Sequence, residues 1–203
     1  MLLGEVSGDL GFESVPGVAG TFSGRAIVCG SGRCLWDDLK AVGEIQADYV
    51  AVKQAGLYLP FRFKHWANAH GERFQWMVPL RHEGYYFRGM DNGHRGVHPQ
   101  KLGAILHAEK SWPLVDHVWP TRMTGTSALF AVRVALALGY EEVILCGVPL
   151  DTSGRFYAAP WDRGIDLNVV DMKEWEAYVP AFDGRVKSMS GRTRELLGGP
   201  NGY

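Results

Sequence analysis

Residues 124–151, TGTSALFAVRVALALGYEEVILCGVPLD, decide the fold. Thr124-Gly125-Thr126-Ser127 sets hydroxyls ahead of an apolar run from Ala128 to Leu138, which is long enough for three helical turns, and Gly139 supplies the stop. Glu141-Glu142 turns the chain, and Val143-Ile144-Leu145-Cys146 is an unbroken apolar run of strand length closed by Gly147. A helix apolar all round is buried on more than one side. A Val-Ile-Leu strand without alternation is covered on both faces. Both conditions hold when the helix crosses a parallel sheet, so this stretch reads as part of a βαβ layer.

The same texture extends toward the N-terminus. Ala26-Ile27-Val28-Cys29 reads as a buried strand entering the tight loop Gly30-Ser31-Gly32, and Leu35, Trp36, Leu39 and Val42 fall at helical spacing after it. Asp48–Val52 reads as a second strand, and Pro60 discourages a long helix in the 57–63 stretch. His65–His70 looks like a third strand and 72–80 like a weak helix. The glycine-rich run 81–99 reads as a long loop of the kind that serves as a lid or binding loop. Beyond it the pattern predicts a helix over 101–110 and a strand over 114–119. Downstream of residue 148 it predicts a polar loop, a helix near 170–178, a strand at 185–188 and a last helical turn at 193–197. The expected architecture is a single Rossmann-like α/β domain over 25–203, a mostly parallel sheet sandwiched by helices. Residues 1–24 form an irregular arm whose order would require docking onto the body.

Composition narrows the function. The 203 residues include 26 glycines, about 13% against roughly 7% in ordinary proteins, and those between 25 and 190 fall in short clusters between apolar runs, as turns do. A net charge of −1 removes the footprint of a general nucleic-acid or anionic-membrane binder. Three cysteines without a C-x-x-C pair read as reduced thiols, which points to the cytoplasm. The longest apolar stretch contains Arg133 and is too short to span a bilayer. A homo-oligomer is compatible with all of this.

Ligands of open α/β sheets gather at strand C-terminal ends, where helix N-termini and free N–H groups collect. Three ends carry candidates. Gly30-Ser31-Gly32-Arg33 is either a routine turn or a phosphate-approaching loop with Arg33 for charge; it lacks both the G-x-G-x-x-G spacing and a Walker lysine, which argues against NAD binding and P-loop hydrolysis. Gly125-Thr126-Ser127 is either a helix cap or a set of oxygen-binding donors. Gly147-Val148-Pro149-Leu150-Asp151 ends in a carboxylate that serves either a turn or a ligand.

In this order, "IVCGSGRCL", "DYVAVKQ" and "GTSALFAVRVALALGYEEVILCGVPLD" resemble the small GT-A-like bacterial sialyltransferases, together with motility-associated glycosyltransferases and a hydroxymethylpterin diphosphokinase of the same superfamily. The likeness covers about residues 25–158 and is strongest over 124–151. It implies that Gly30, Ser31, Gly32 and Arg33, with Gln54 in place of a usual asparagine, face a nucleotide, typically the CMP part of an activated sugar. It also implies that Gly125, Thr126, Ser127 and Gly147 complete that site and that Tyr157 steadies the leaving phosphate, where donors are needed as charge develops.

The chain departs from the family pattern in two places. The family's histidine before the last strand has no counterpart, because all seven histidines precede residue 118, and Pro149 displaces the usual acidic position toward Asp151. His70, at a strand end, is therefore the candidate base, with Asp151 and Tyr157 beside it as candidate catalytic residues. The function expected is transfer of a sugar from a nucleotide donor to an acceptor hydroxyl. One alternative is ATP-dependent diphosphoryl transfer with Mg²⁺ held by carboxylates such as Asp91 or Asp151. Another is a non-catalytic nucleotide-binding or assembly protein on the same fold. No metal site is assigned: His94, His98 and Asp91 match no standard ligand spacing, and there is no D-x-D motif.

Overall fold

The computed structural model describes residues 16–83, 104–120, 126–157 and 168–200. In chain order the elements are β1 (Arg25–Cys29), α1 (Leu35–Val42), β2 (Asp48–Val52), α2 (Ala55–Tyr58) and β3 (His65–Ala67). A 3₁₀ turn (Gly71–Arg73) leads into α3 (Phe74–Glu83). Then follow β4 (Ile105–Ala108), β5 (His117–Val118), α4 (Ser127–Leu138), β6 (Glu142–Cys146), α5 (Asn168–Phe182), β7 (Val186–Ser188) and α6 (Gly191–Leu197). The seven strands form one sheet in the order β5-β4-β3-β2-β1-β6-β7, and every pairing is parallel.

Side chains of β1 alternate between two apolar layers. Ala26 and Val28 join α4 and the Trp175, Tyr178 and Phe182 side chains of α5, whereas Ile27 and Cys29 face Leu35 and Val42 of α1, Leu57 of α2 and Phe74 and Met77 of α3. α4 is buried along nearly its whole length, as its all-apolar sequence requires. Its one charge, Arg133, is satisfied over the Tyr178 ring at 4.7 Å. Among the described residues no helix is long and apolar enough to cross a membrane.

The expected helix over 101–110 is corrected by the structure. Ile105–Ala108 is a strand, and the described residues before it, starting at Ala104, are not helical. His107 within it is fully buried and hydrogen-bonded. Both faces of this segment are covered, a condition a one-sided helical repeat does not fit. The strand expected at 114–119 is shorter, at His117–Val118, and the third strand stops at Ala67. Arg81–Glu83 belong to α3, and the rest of the expected 81–99 loop lies outside the described residues.

His107 is one link in a buried chain of polar side chains. Trp119 Nε1 donates to His107 Nδ1 at 2.9 Å, and His107 Nε2 lies 3.1 Å from His65 Nδ1. His65 Nε2 lies 2.9 Å from the Tyr140 hydroxyl, which donates to Asp48 at 2.6 Å. Since both ends have fixed donors, each imidazole carries its proton on Nε2, and the direction of every bond follows. Burial holds the His65 pKa down to about 4 and that of His107 lower still, so both rings are neutral. Residues 16–24 dock beside this chain: Gly20 and Phe22 donate backbone bonds to Ala137 and Leu138, and the Phe22 ring meets His65 edge-on at 4.8 Å.

Candidate functional site

The chain runs outward from β1 to β5 and then returns to place β6 on the other side of β1. The β1/β6 boundary is therefore the topological switch point, where the C-terminal edge of an open α/β sheet receives ligands. Gly30, Gln54, His70 and Gly147 all lie at this edge because every strand points the same way.

At the switch point the loops after β1 and β6 are zipped together. Gly30 N donates to Cys146 O, Gly32 N to Gly147 O, Arg33 N to Gly154 O and Phe156 N to Ser31 O. A Cβ on Gly30 would sit 2.6 Å from Val148 Cγ2, and one on Gly32 would collide with Pro149. The glycines are thus required by the approach of one loop to the other. Gly147, at φ +68, donates its N–H to the buried Asp38 carboxylate at 2.8 Å, and the Ser190 hydroxyl donates to the same oxygen at 2.8 Å. Cys34 lies 3.0 Å from Ser190 Oγ, and burial, with the Asp38 charge adding to it against that hydrogen bond, pushes its thiol up to about 12. Cys34 is a neutral thiol and not a nucleophile.

The loop after β6 then crosses over β1 toward β2. Asp151 is exposed and accepts from Ser153 N and Ser153 Oγ, which is a turn geometry. Tyr157, at the far end of the described loop, stacks on Tyr58 of α2 at 4.5 Å, and Phe156 packs edge-on against Trp36. Gln54 is the residue before α2 and makes no side-chain cap bond. Thr126 caps α4 by accepting from Leu129 N at 3.1 Å and also accepts from Trp175 Nε1, while Ser127 is buried. Gly125, Asp91, His94 and His98 lie outside the described residues.

The edge over β2, β3 and β4 has a different chemistry. Asn68, the first residue beyond β3, is fully buried; its Oδ1 accepts from His70 N at 3.1 Å, but its Nδ2 has no hydrogen-bond partner among the described residues. A buried amide donor left unpaired costs about 1–3 kcal/mol. His70 is half exposed, with Nδ1 3.7 Å from Glu72. Burial first, then the charges of Arg73, Lys53 and Lys110, hold its pKa below the ordinary value, with Glu72 pulling the other way. A neutral imidazole with an open face can accept a proton. Asn68 and Asp38 were missed in the sequence; an asparagine ending a strand beside a histidine was the available signal for the first. Among the described residues no three His, Cys, Asp or Glu side chains converge as a metal site.

A seven-stranded parallel sheet in this order, with a glycine loop at its switch point, is an open Rossmann-like α/β fold. No family model matches the chain, and no curated protein matches it. The particular likeness is to solved structures of the sialyltransferase CstII. The complex with a trisaccharide acceptor and CMP has a TM-score of 0.57 at 14% identity, covering 87% of this chain and 86% of that one. A point variant of CST-II in complex with CMP gives 0.58 at 16%, with the same coverage. The Campylobacter jejuni enzyme with the substrate analogue CMP gives 0.52 at 14%, over 88% and 86%. At such identities the likeness is one of fold.

Proposed function

We propose that the protein transfers a sugar from a nucleotide donor, of the CMP-linked kind, to an acceptor hydroxyl. The observation that carries this reading is the fold match over 87% of the chain to a sialyltransferase bound to CMP. In this chain the corresponding edge gathers the glycine loop, Gln54, His70 and the loop from Gly147 to Tyr157. Gly30, Ser31, Gly32, Arg33, Gln54, Gly125, Thr126, Ser127 and Gly147 surround the nucleotide in this reading. Several of their groups are already engaged inside the protein: Gly32 and Gly147 use their N–H groups between loops, and Thr126 caps its helix. In this reading the nucleotide meets mainly the Ser31 and Gln54 side chains, with the Arg33 guanidinium contributing charge.

His70 acts as the general base. Its neutral ring takes the proton of the acceptor hydroxyl as that oxygen attacks the sugar carbon, while the nucleotide phosphate leaves. Tyr157 steadies the departing phosphate. Asp151, through its bonds to Ser153, shapes the loop that presents Tyr157.

Titration of the purified protein with CMP, CDP, UDP and ATP by calorimetry tests the reading. A cytidine nucleotide is expected to bind with a dissociation constant of roughly 10 µM to 1 mM, the range of ordinary substrate affinities. Failure of all four to bind at millimolar concentration would overturn it.

A further inference from the structure

We propose that the edge over β2, β3 and β4 is an anion-binding subsite, in which Lys53, His70, Arg73 and Lys110 receive a phosphoryl or carboxylate group of the substrate. The inference deepens the glycosyl-transfer reading, since it assigns charge to that reading's substrate.

Strand register brings these residues together. Val52 pairs with Ala67 and Ala67 with His107, so the chain leaves three neighbouring strands in one direction as Lys53, as Asn68 to Arg73, and as Glu109-Lys110. Adjacent strands lie about 4.8 Å apart, which sets Lys53 and Lys110 roughly 10 Å apart across β3. The local backbone contacts are tight. Lys53 N donates to Ala67 O at 3.0 Å, Trp66 Nε1 donates to Lys53 O at 2.7 Å, and a Cβ on Gly71 would lie 2.8 Å from Lys110 O. The His70–Arg73 turn is therefore seated between the two lysines.

Among the described residues the charges acting on His70 are mainly positive. Three cations act on His70 and one carboxylate, Glu72, opposes them. Glu109 is half-buried and interacts with Arg133 as well as Lys110. Arg73 and Lys110, grouped with Lys53 about a neutral histidine, are like charges, and an anion beside Arg73 and Lys110 relieves their repulsion.

Asn68 supplies the independent observation. Its Nδ2 is a fully buried donor without an acceptor among the described residues, and its Oδ1 holds the His70 backbone at the base of the cluster. The described groups here offer mainly donors and cations, and the complement of such a set is an oxyanion. Two sources share that chemistry: the acidic group of a charged acceptor, and, where a nucleoside diphosphate sugar takes the place of the CMP-linked donor, its second phosphate.

The test follows His70 directly. NMR pH titration of the His70 ring is run with and without 20 mM inorganic phosphate, in the native protein and in an Arg73→Gln, Lys110→Gln double variant; Lys53 is kept because its backbone stands at φ +49. Phosphate is expected to raise the His70 midpoint by about half a pH unit in the native protein and to leave the variant unmoved. Calorimetry then separates the sources. CDP binding about tenfold tighter than CMP, with the difference lost in the variant, assigns the subsite to the donor. Equal CDP and CMP affinities, with glucuronate bound in preference to glucose and that preference lost in the variant, assign it to the acceptor. A His70 midpoint indifferent to phosphate, or preferences that survive in the variant, overturns the subsite even where CMP binds. A phosphate response lost in the variant, without binding of any nucleotide, keeps the subsite and overturns the glycosyl-transfer reading.

Discussion

The two halves of the sheet's C-terminal edge solve opposite problems. Over β1 and β6, four backbone bonds zip one loop to another and Asp38 fastens Gly147 to Ser190, so the loop backbone is tied down and a Cβ at Gly30 or Gly32 would collide. Over β2, β3 and β4, cations crowd together and a buried amide donor is left without an acceptor among the described residues. The first half holds its backbone in one closely knit arrangement. The second half tolerates charge repulsion and an unpaired donor, costs that a folded protein sustains when a ligand relieves them.

The sharpest way to break this contrast is to replace a residue in each half and read both activity and stability. His70→Ala is expected to lower kcat by about 10²- to 10⁴-fold while leaving the unfolding midpoint unchanged, because the side chain is half exposed. Retained turnover would remove His70 as the base.

Acid probes what lies beneath the second half. His65 and His107 are neutral in the folded protein, whereas an unfolded chain protonates its histidines near pH 6.5. Their contribution is therefore fully present above about pH 6.5 and is lost as the pH falls toward the folded value of about 4 for His65. The loss from His65 amounts to roughly 3 kcal/mol between pH 7 and 4. Urea midpoints measured at half-unit intervals over this range check it, and a flat profile from pH 7 to 5 would show that the rings titrate in the folded protein as they do in the unfolded chain.

The first half is tested by Gly30→Ala, whose added methyl meets Gly147 O and Val148 and should destabilise by about 1–3 kcal/mol. Gly17→Ala has nothing within 4 Å of its new methyl and serves as the control, with a change within about 0.5 kcal/mol. Equal effects would erase the distinction between packed and open glycines.

The elements most legible in the sequence are those that are apolar throughout. α4 and β6 declare themselves because, Arg133 apart, Ala128–Leu138 and Val143–Cys146 are unbroken apolar runs, and the helical stripe of α1 does so by spacing. β4 was misread because its partner for His107 lies 42 residues away, and no local pattern reveals that a histidine is paired and buried. The glycine excess drew attention to the loop after β1, but local sequence could not show that Gly30 and Gly32 face Val148 and Pro149. Asn68 and the cations around His70 converge only through strand register. Periodicity does not report such meetings across a sheet.

The hydrogen-bond chain from Trp119 to Asp48 has a further consequence. Every member gives to the next, so the chain has a single polarity, like a row of turnstiles all set to the same direction. Exchanging one member for a side chain of opposite sense strands its neighbour, and the fault passes along the row to the end. Descendants of this sequence can therefore alter Trp119, His107, His65, Tyr140 and Asp48 with little cost only in concert, and these five positions should drift as one unit while the apolar residues around them vary singly.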